Sequence, residues 1–145
     1  MAIHYPDDAA IARLGEGLID RSCPKDEWTH AAHFAATLWI LRHRSDIVVE
    51  RDMPGLIRAY NEAVGGVNDD TSGYHETITQ ASLRAARAFL REQAPERPLH
   101  DALDDLMASP LGRPDWLLAY WTRERLFSVE ARRGWIEPDH APLPF

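Results

Sequence analysis

Strand-forming residues are scarce in this chain, and that scarcity narrows its fold more than any other feature. Ile47-Val48-Val49 is the one run of β-branched residues, and it is short. Elsewhere, apolar residues recur at intervals of three or four behind residues that start helices. The pattern predicts an all-α fold, a single helical bundle of about five to seven helices. An extended, proline-rich tail is predicted to follow over residues 137–145.

Start and stop signals divide the chain into helical segments. Thr29 is a favourable N-cap for the second segment, and Ser72 or Thr71 for the fourth. Gly15 and Gly17 lower the helical propensity of the first segment. The predicted segments span about residues 8–20, 29–43, 54–65, 74–92, 98–108, 115–128 and 129–135.

Length and charge limit the class of protein. With 145 residues the chain has the size of one domain, taken here as residues 1–145. The net charge of −7 argues against a broad electrostatic interaction with nucleic acid. Residues 1–8 do not resemble a signal peptide, and the longest apolar stretch, near residues 34–41, is too short to span a bilayer. We therefore expect a cytoplasmic protein without nucleic-acid or membrane partners. The sequence leaves the oligomeric state open, and a homo-oligomer is one of the alternatives.

Two of the predicted helix starts carry histidines. Residues 28–33 have the sequence Trp-Thr-His-Ala-Ala-His, and residues 73–79 have the sequence Gly-Tyr-His-Glu-Thr-Ile-Thr. At about 100° per residue, His75 lies near the middle of the apolar face of its helix. Thr79 lies close to it on the same face, and Glu76 lies at the edge. Inward polar groups such as these need partners, because an unpaired buried polar group is costly.

The order of the helices brings the two histidine-bearing starts together. His30 and His33 are three residues apart on the second segment, so their side chains are neighbours. Short loops make consecutive helices antiparallel, so the second and fourth segments begin at the same end of the bundle. The topology therefore predicts one pocket at that end, lined by His30, His33, His75 and Glu76.

One interpretation of this cluster is a metal site. His30, His33 and His75 would bind a divalent metal such as zinc, iron, manganese or nickel. Glu76 would act as the general base for a bound water, or as a further ligand. The spacing matches neither His-Glu-x-x-His nor Glu-x-x-His. The reaction would be a metal-assisted hydrolysis or group transfer on a small anionic molecule.

A second interpretation is a metal-free pocket for a small anionic molecule, in a binding protein rather than an enzyme. Two helix N-termini at one end present free N–H groups and partial positive charge, which favour an anion. The same field keeps the histidines neutral, since it lowers their pKa values. Tyr74, Thr79 and Thr37 would be further ligand-binding residues.

A third interpretation gives the cluster a structural role only. His75 would hydrogen-bond a buried carbonyl, and Thr79 and Ser82 would bond to carbonyls one turn back. The tryptophans are expected in the core, and Arg132 and Arg133 are expected to pair with Glu130 or Asp139. The sequence does not decide among the three interpretations, nor whether the protein is an enzyme.

Three motifs resemble those of a family of small, uncharacterised bacterial helical proteins. They are aromatic-Thr-His-x-x-His at residues 28–33, Tyr-His-Glu-Thr-Ile-Thr at 74–79 and Leu-Phe-Ser…Ala-Arg at 126–132. The resemblance covers about residues 28–144 and implies no activity. The motif positions that it implies are His30, His33, Tyr74, His75, Glu76, Thr77 and Thr79. A helical bundle with three histidines also resembles the DinB-like metal-binding bundles at the level of fold alone. The spacing of the histidines differs in those proteins.

Overall fold

The computed structural model describes residues 5–145; residues 1–4, which open the segment considered for a signal peptide, lie outside the described residues. Over the described range the chain is all-helical, with seven α-helices, three short 3-10 helices and no strand. This confirms the all-α prediction for that range. The α-helices are α1 (Asp8–Ile19), α2 (His30–His43), α3 (Val49–Ala63), α4 (Glu76–Arg91), α5 (Leu99–Ala108), α6 (Arg123–Leu126) and α7 (Val129–Arg133). The 3-10 helices are Lys25–Glu27, Pro110–Gly112 and Trp116–Ala119.

The central helix of the fold is α2. It contacts α1, α3, α4 and α5. Phe34, Leu38 and Ile40 on this helix are buried, in keeping with apolar residues on nearly every side of it. Thr29 caps the helix as predicted, because its hydroxyl accepts the backbone N–H of Ala32 at 3.2 Å. No helix in the described part of the chain combines the length and the apolar character that crossing a membrane requires.

A glycine lets α1 approach α2 closely. A Cβ at Gly15 would lie 2.8 Å from Cδ2 of Trp39, closer than two carbon atoms normally pack. The low helical propensity of this position is therefore offset by packing.

At the start of α1, the carboxylate of Asp8 accepts the backbone N–H groups of Leu99 and His100 at 3.1 and 2.9 Å. Asp8 thus satisfies two of the free N–H groups at the start of α5.

Helix α3 begins at Val49, five residues before the predicted start at Pro54. A proline inside a helix lacks the N–H that would bond to the carbonyl four residues earlier. That carbonyl belongs to Glu50, and it accepts the side-chain amide of Gln80 on α4 at 3.1 Å instead. The helix therefore tolerates Pro54, because a neighbouring helix supplies the missing donor. Asp52, the other start signal, accepts the backbone N–H of Val48 at 3.0 Å.

The prediction of one helix over residues 115–128 is wrong. The chain instead forms a 3-10 helix and then α6. The backbone carbonyl of Tyr120 accepts the N–H groups of His140 and Ala141 at 2.9 and 3.1 Å, so it does not continue an α-helix. The tail over residues 137–145 forms neither helix nor strand, and it packs back against this segment through those bonds.

Candidate functional site

A cavity of about 370 Å³ lies between the starts of α2 and α4. The rest of its wall comes from α3, residues 114–117 and α7. Its side chains with polar atoms are Trp28, His30, His33, Thr37, Asn61, Tyr74, His75, Thr79, Ser82, Trp116 and Arg132. Its apolar side chains are Phe34, Met53, Ile57, Ile78, Leu83, Pro114 and Leu117. Six of the seven predicted site residues therefore line one cavity, and Glu76 is the one that does not.

His75 uses both ring nitrogens within the protein. Its Nδ1 accepts the backbone N–H of Ile78 at 3.1 Å and so caps α4. Its Nε2–H donates to the backbone carbonyl of Leu126 at 2.7 Å. These two bonds require the neutral ring with its proton on Nε2. Burial, reinforced by the charge of Arg132, lowers the pKa of His75 and favours the same neutral form.

The cap of α4 differs from the one predicted. We expected Ser72 or Thr71, but both hydroxyls donate to the carboxylate of Asp69, in the turn before the helix. The helix therefore begins at Glu76, with His75 immediately before it. The site histidine is consequently part of the helix boundary rather than a residue on its first turn.

His33 is the cavity histidine whose ring has no hydrogen bond to any described residue. Its side chain is exposed, and it lines the cavity. Its ring centroid lies 4.3 Å from that of Trp28, at a tilt of 35°. The surrounding protein, and then the neighbouring His30, lower the pKa of His33. On its open side the cavity leaves part of the ring in contact with solvent. The lowered pKa nevertheless means that the ring is neutral at pH 7, and the neutral ring offers one donor and one acceptor.

His30 lies beside His33 but is anchored. Its Nε2–H donates to the backbone carbonyl of Leu111 at 2.8 Å, which leaves Nδ1 as a lone-pair acceptor in the neutral ring. Its ring meets that of Phe34 edge to face, with centroids 5.3 Å apart.

The three histidines do not form a metal site in this structure. In the described part of the chain, no three His, Cys, Asp or Glu side chains are grouped so that they could hold a metal ion. Both nitrogens of His75 are already hydrogen-bonded, so neither has a lone pair free for a metal. The arrangement thus departs from the predicted ligand set of His30, His33 and His75.

Glu76 also has a different place from the one predicted for a general base. Its carboxylate accepts the hydroxyl of Tyr74 and, at 3.4 Å, the side-chain amide of Gln80. Tyr74 itself is buried, lines the cavity and has a cation over its ring, with Arg58 Cζ 4.4 Å from the centroid. Burial and the Glu76 carboxylate raise the pKa of Tyr74. Glu76 therefore holds Tyr74 in place rather than facing the cavity.

The small hydroxyl groups of the cavity are largely satisfied along their own helices. Thr37 donates to the carbonyl of His33 at 2.8 Å, and Ser82 donates to the carbonyl of Ile78 at 2.7 Å. Bonds one turn back are the pattern that the structural interpretation predicted for Ser82. Thr37 and Thr79 line the cavity, as the ligand-binding interpretation required.

Two polar residues of the wall that sequence reasoning did not assign to the site are Trp116 and Arg132. Trp116 is 5% exposed, and its indole N–H has no hydrogen-bond partner, the one such side-chain atom found among the buried groups of the described residues. Arg132 donates through Nη1 to the carbonyls of Gly73 and Tyr74 at 3.0 and 3.2 Å, instead of pairing with an acidic residue. For Arg132 a signal existed, because it ends the third motif of the resemblance. For Trp116 nothing in the sequence distinguished it from the other tryptophans.

No protein-family model, curated protein or solved structure matches the chain. The resemblance drawn from the motifs therefore stays a prediction, and the functional argument depends on the cavity itself.

Proposed function

We propose that the protein binds a small organic molecule in the cavity between the starts of α2 and α4, without using a metal ion. The observation that carries this proposal is the state of His33. The other two cavity histidines are anchored to backbone carbonyls, whereas the His33 ring is exposed to the cavity with no hydrogen-bond partner among the described residues. A ligand would satisfy both its donor and its acceptor.

The size and wall of the cavity suit a small molecule. Ligand pockets commonly have volumes of about 300–1,000 Å³, with apolar walls and a few polar groups that orient the ligand. At about 370 Å³ this cavity lies at the lower end of that range. Its apolar and aromatic side chains come from several elements, and a few polar groups stand among them.

The unpaired indole of Trp116 supports the same proposal. A buried donor without a partner costs about 1–3 kcal/mol, so such groups are rare in native proteins. Trp116 belongs to the cavity wall. A ligand atom that accepts a hydrogen bond would remove this cost if the ring turned its nitrogen, which has almost no accessible surface here, toward the cavity.

The geometry supports binding better than catalysis. A general base is usually oriented by a second hydrogen-bonded group and held at a defined angle. His33 has only its contact with the Trp28 ring. Glu76, the predicted base, is engaged by Tyr74 and Gln80 and is not among the lining residues.

The proposal is tested by titrating ¹⁵N-labelled protein with a library of small neutral, cationic and anionic organic compounds. We expect a subset to shift the NMR signals of His33 and of the Trp116 indole. Ser82→Leu adds a larger side chain to the cavity wall and should weaken binding of those compounds about tenfold or more. Ala63→Leu, at an exposed position of α3 outside the wall, is the matched control and should leave binding unchanged. Shifts that appear equally in Ser82→Leu, or compounds that never move the cavity signals, would contradict the proposal.

A further inference from the structure

The cavity wall differs in charge from the protein as a whole. The chain carries a net charge of −7, with 23 acidic residues. None of the described residues that line the cavity is Asp or Glu, and Arg132 is the one residue among them with a permanent charge. The wall residues themselves thus carry one guanidinium and no carboxylate, although the Glu76 carboxylate accepts the hydroxyl of the wall residue Tyr74.

Arg132 is anchored in a way that leaves half of its guanidinium free. Both bonds to the carbonyls of Gly73 and Tyr74 come from Nη1. Its Nε–H and Nη2–H have no hydrogen-bond partner among the described residues, and these two groups form the edge that a carboxylate accepts in bidentate fashion. Because the carbonyls hold the guanidinium, little side-chain freedom remains to be lost on binding.

Two nearby arginines have partners of a different kind. Arg133 pairs with Asp70 at 2.6 Å, and Arg125 pairs with Glu130 at 3.1 Å. Arg132 has no such ion pair, although it is the more buried of the adjacent residues 132 and 133. A half-buried cation on a cavity wall that forms no ion pair of its own is a group that the charge of a ligand can pair.

Two further features point to the same sign of charge. The cavity lies at the starts of α2 and α4, helices of 14 and 16 residues; the N-terminus of α2 carries partial positive charge, which at α4 is partly offset by Glu76 in the first turn. Trp116 adds a buried N–H donor without an acceptor. Together with Arg132, these features favour an anionic ligand with hydrogen-bond acceptor atoms.

On these grounds we propose that the ligand is a small monocarboxylate with an apolar, ring-sized body, whose carboxylate binds the free Nε/Nη2 edge of Arg132. This rests on the proposed function, since it names the ligand class of the same cavity. A single planar guanidinium matches one carboxylate, whereas a phosphate dianion would leave a negative charge unpaired. The body would pack among Phe34, Ile57, Leu83 and Trp116, which offer aromatic and aliphatic contacts.

The first experiment uses the wild-type protein and therefore does not depend on the folding of a variant. Benzoate, phenylacetate and cyclohexanecarboxylate are compared with their amides by calorimetric titration at pH 7. We expect at least one acid to bind about tenfold or more tightly than its amide, because charge-assisted hydrogen bonds exceed neutral ones by this margin. Amides that bind as tightly as their acids would overturn the carboxylate proposal.

The second experiment compares two adjacent arginines. Arg132→Gln should weaken binding of the acid about tenfold or more and remove its preference over the amide. Arg133→Gln removes the same charge from an exposed position outside the cavity wall and should leave both unchanged. Equal effects of the two variants would overturn the role of Arg132.

The outcomes separate the two proposals. Neutral or cationic compounds that bind in the cavity and are blocked by Ser82→Leu, with no preference for acids, would leave the binding function standing and remove the carboxylate. An absence of any compound that moves the cavity signals would remove both.

Discussion

The Nε2–H of His75 lies 2.7 Å from the backbone carbonyl oxygen of Leu126, so that a ring at the start of α4 holds the end of α6. The other nitrogen of the same ring caps α4 by accepting the N–H of Ile78. One side chain therefore satisfies backbone groups in two helices. The contact joins His75 to Leu126, 51 residues later in the chain. His75 thereby positions the α4 side of the cavity.

His75→Ala should lower the free energy of unfolding by about 2–4 kcal/mol, because it removes an N-cap and leaves a buried carbonyl unpaired. His75→Asn should cost less, since asparagine still caps the helix but is too short to reach Leu126. Urea denaturation at pH 7.5 measures both. His33→Ala is the matched control and should cost less than about 1 kcal/mol, because its ring has no hydrogen bond to lose. Equal losses for His75→Ala and His33→Ala would contradict the bridging role.

Three of the histidines, His33, His75 and His100, should titrate in two groups. Burial lowers the pKa of His75, and the surrounding protein together with His30 lowers that of His33. The hydrogen bond from His100 to the Asp8 carboxylate raises the pKa of His100. NMR titration of the ring protons should therefore give midpoints below 6.5 for the first two and above 6.5 for His100. Asp8→Asn should lower the midpoint of His100, and an unchanged midpoint would show that Asp8 is not its cause.

These shifts give the stability of the protein a defined pH dependence. A histidine whose pKa is lower in the folded state stabilises the fold fully above pH 6.5, and this stabilisation is lost as the pH falls through the folded value. His33→Gln should therefore lose less unfolding free energy than the wild type between pH 6.5 and 4.5. His100 acts with the opposite sign, since its contribution is present below pH 6.5 and lost as the pH rises. Parallel urea denaturation series for wild type and variant measure the difference, and superimposable pH profiles would contradict it.

The sequence predicted those helix boundaries that depend on residues close to one another in the chain. Thr29 and the apolar residues behind it define α2, and the structure starts and ends that helix where predicted. That His33 and His75 line one cavity agrees with the predicted meeting of the two helix starts, although His75 precedes α4, so helical spacing does not determine where its ring lies. The position of the Glu76 carboxylate was not predictable, because its partner is the hydroxyl of Tyr74, a residue that precedes α4.

The remaining features depend on contacts between residues distant in sequence. The break after Trp116–Ala119 follows from a tail that bonds to the carbonyl of Tyr120. The anchoring of His75 depends on Leu126, and that of Arg132 on Gly73 and Tyr74, far earlier in the chain. Propensity and periodicity describe neighbours within about two turns, so neither reports on such pairs.

Pro54 and Gln80 should prove energetically coupled. Pro54→Ala restores the N–H that the Glu50 carbonyl lacks within α3 and should stabilise the protein by about 1–3 kcal/mol. Gln80→Ala should cost about 0.5–1.5 kcal/mol in the wild type, because it removes the substitute donor. In the Pro54→Ala background that cost should be smaller. A double-mutant cycle measured by urea denaturation tests this, and identical costs in both backgrounds would show that the amide does not replace the missing donor.

Two helical glycines should respond oppositely to the same substitution. A Cβ at Gly15 would clash with the ring of Trp39, so Gly15→Ala should destabilise the protein by about 1–3 kcal/mol. Gly55 on α3 has no atom within 4 Å of the position of such a Cβ, so Gly55→Ala should stabilise it by about 0.5–1 kcal/mol through helical propensity. Thermal and urea denaturation measure both variants.

The clash can be assigned by changing its other partner. In a Trp39→Leu background the smaller side chain leaves room beside α1, and Gly15→Ala should then cost little or become stabilising, as at Gly55. If Gly15→Ala is tolerated in the wild type as well, the ring of Trp39 moves aside without cost. The close approach of α1 to α2 would then not be what keeps glycine at this position.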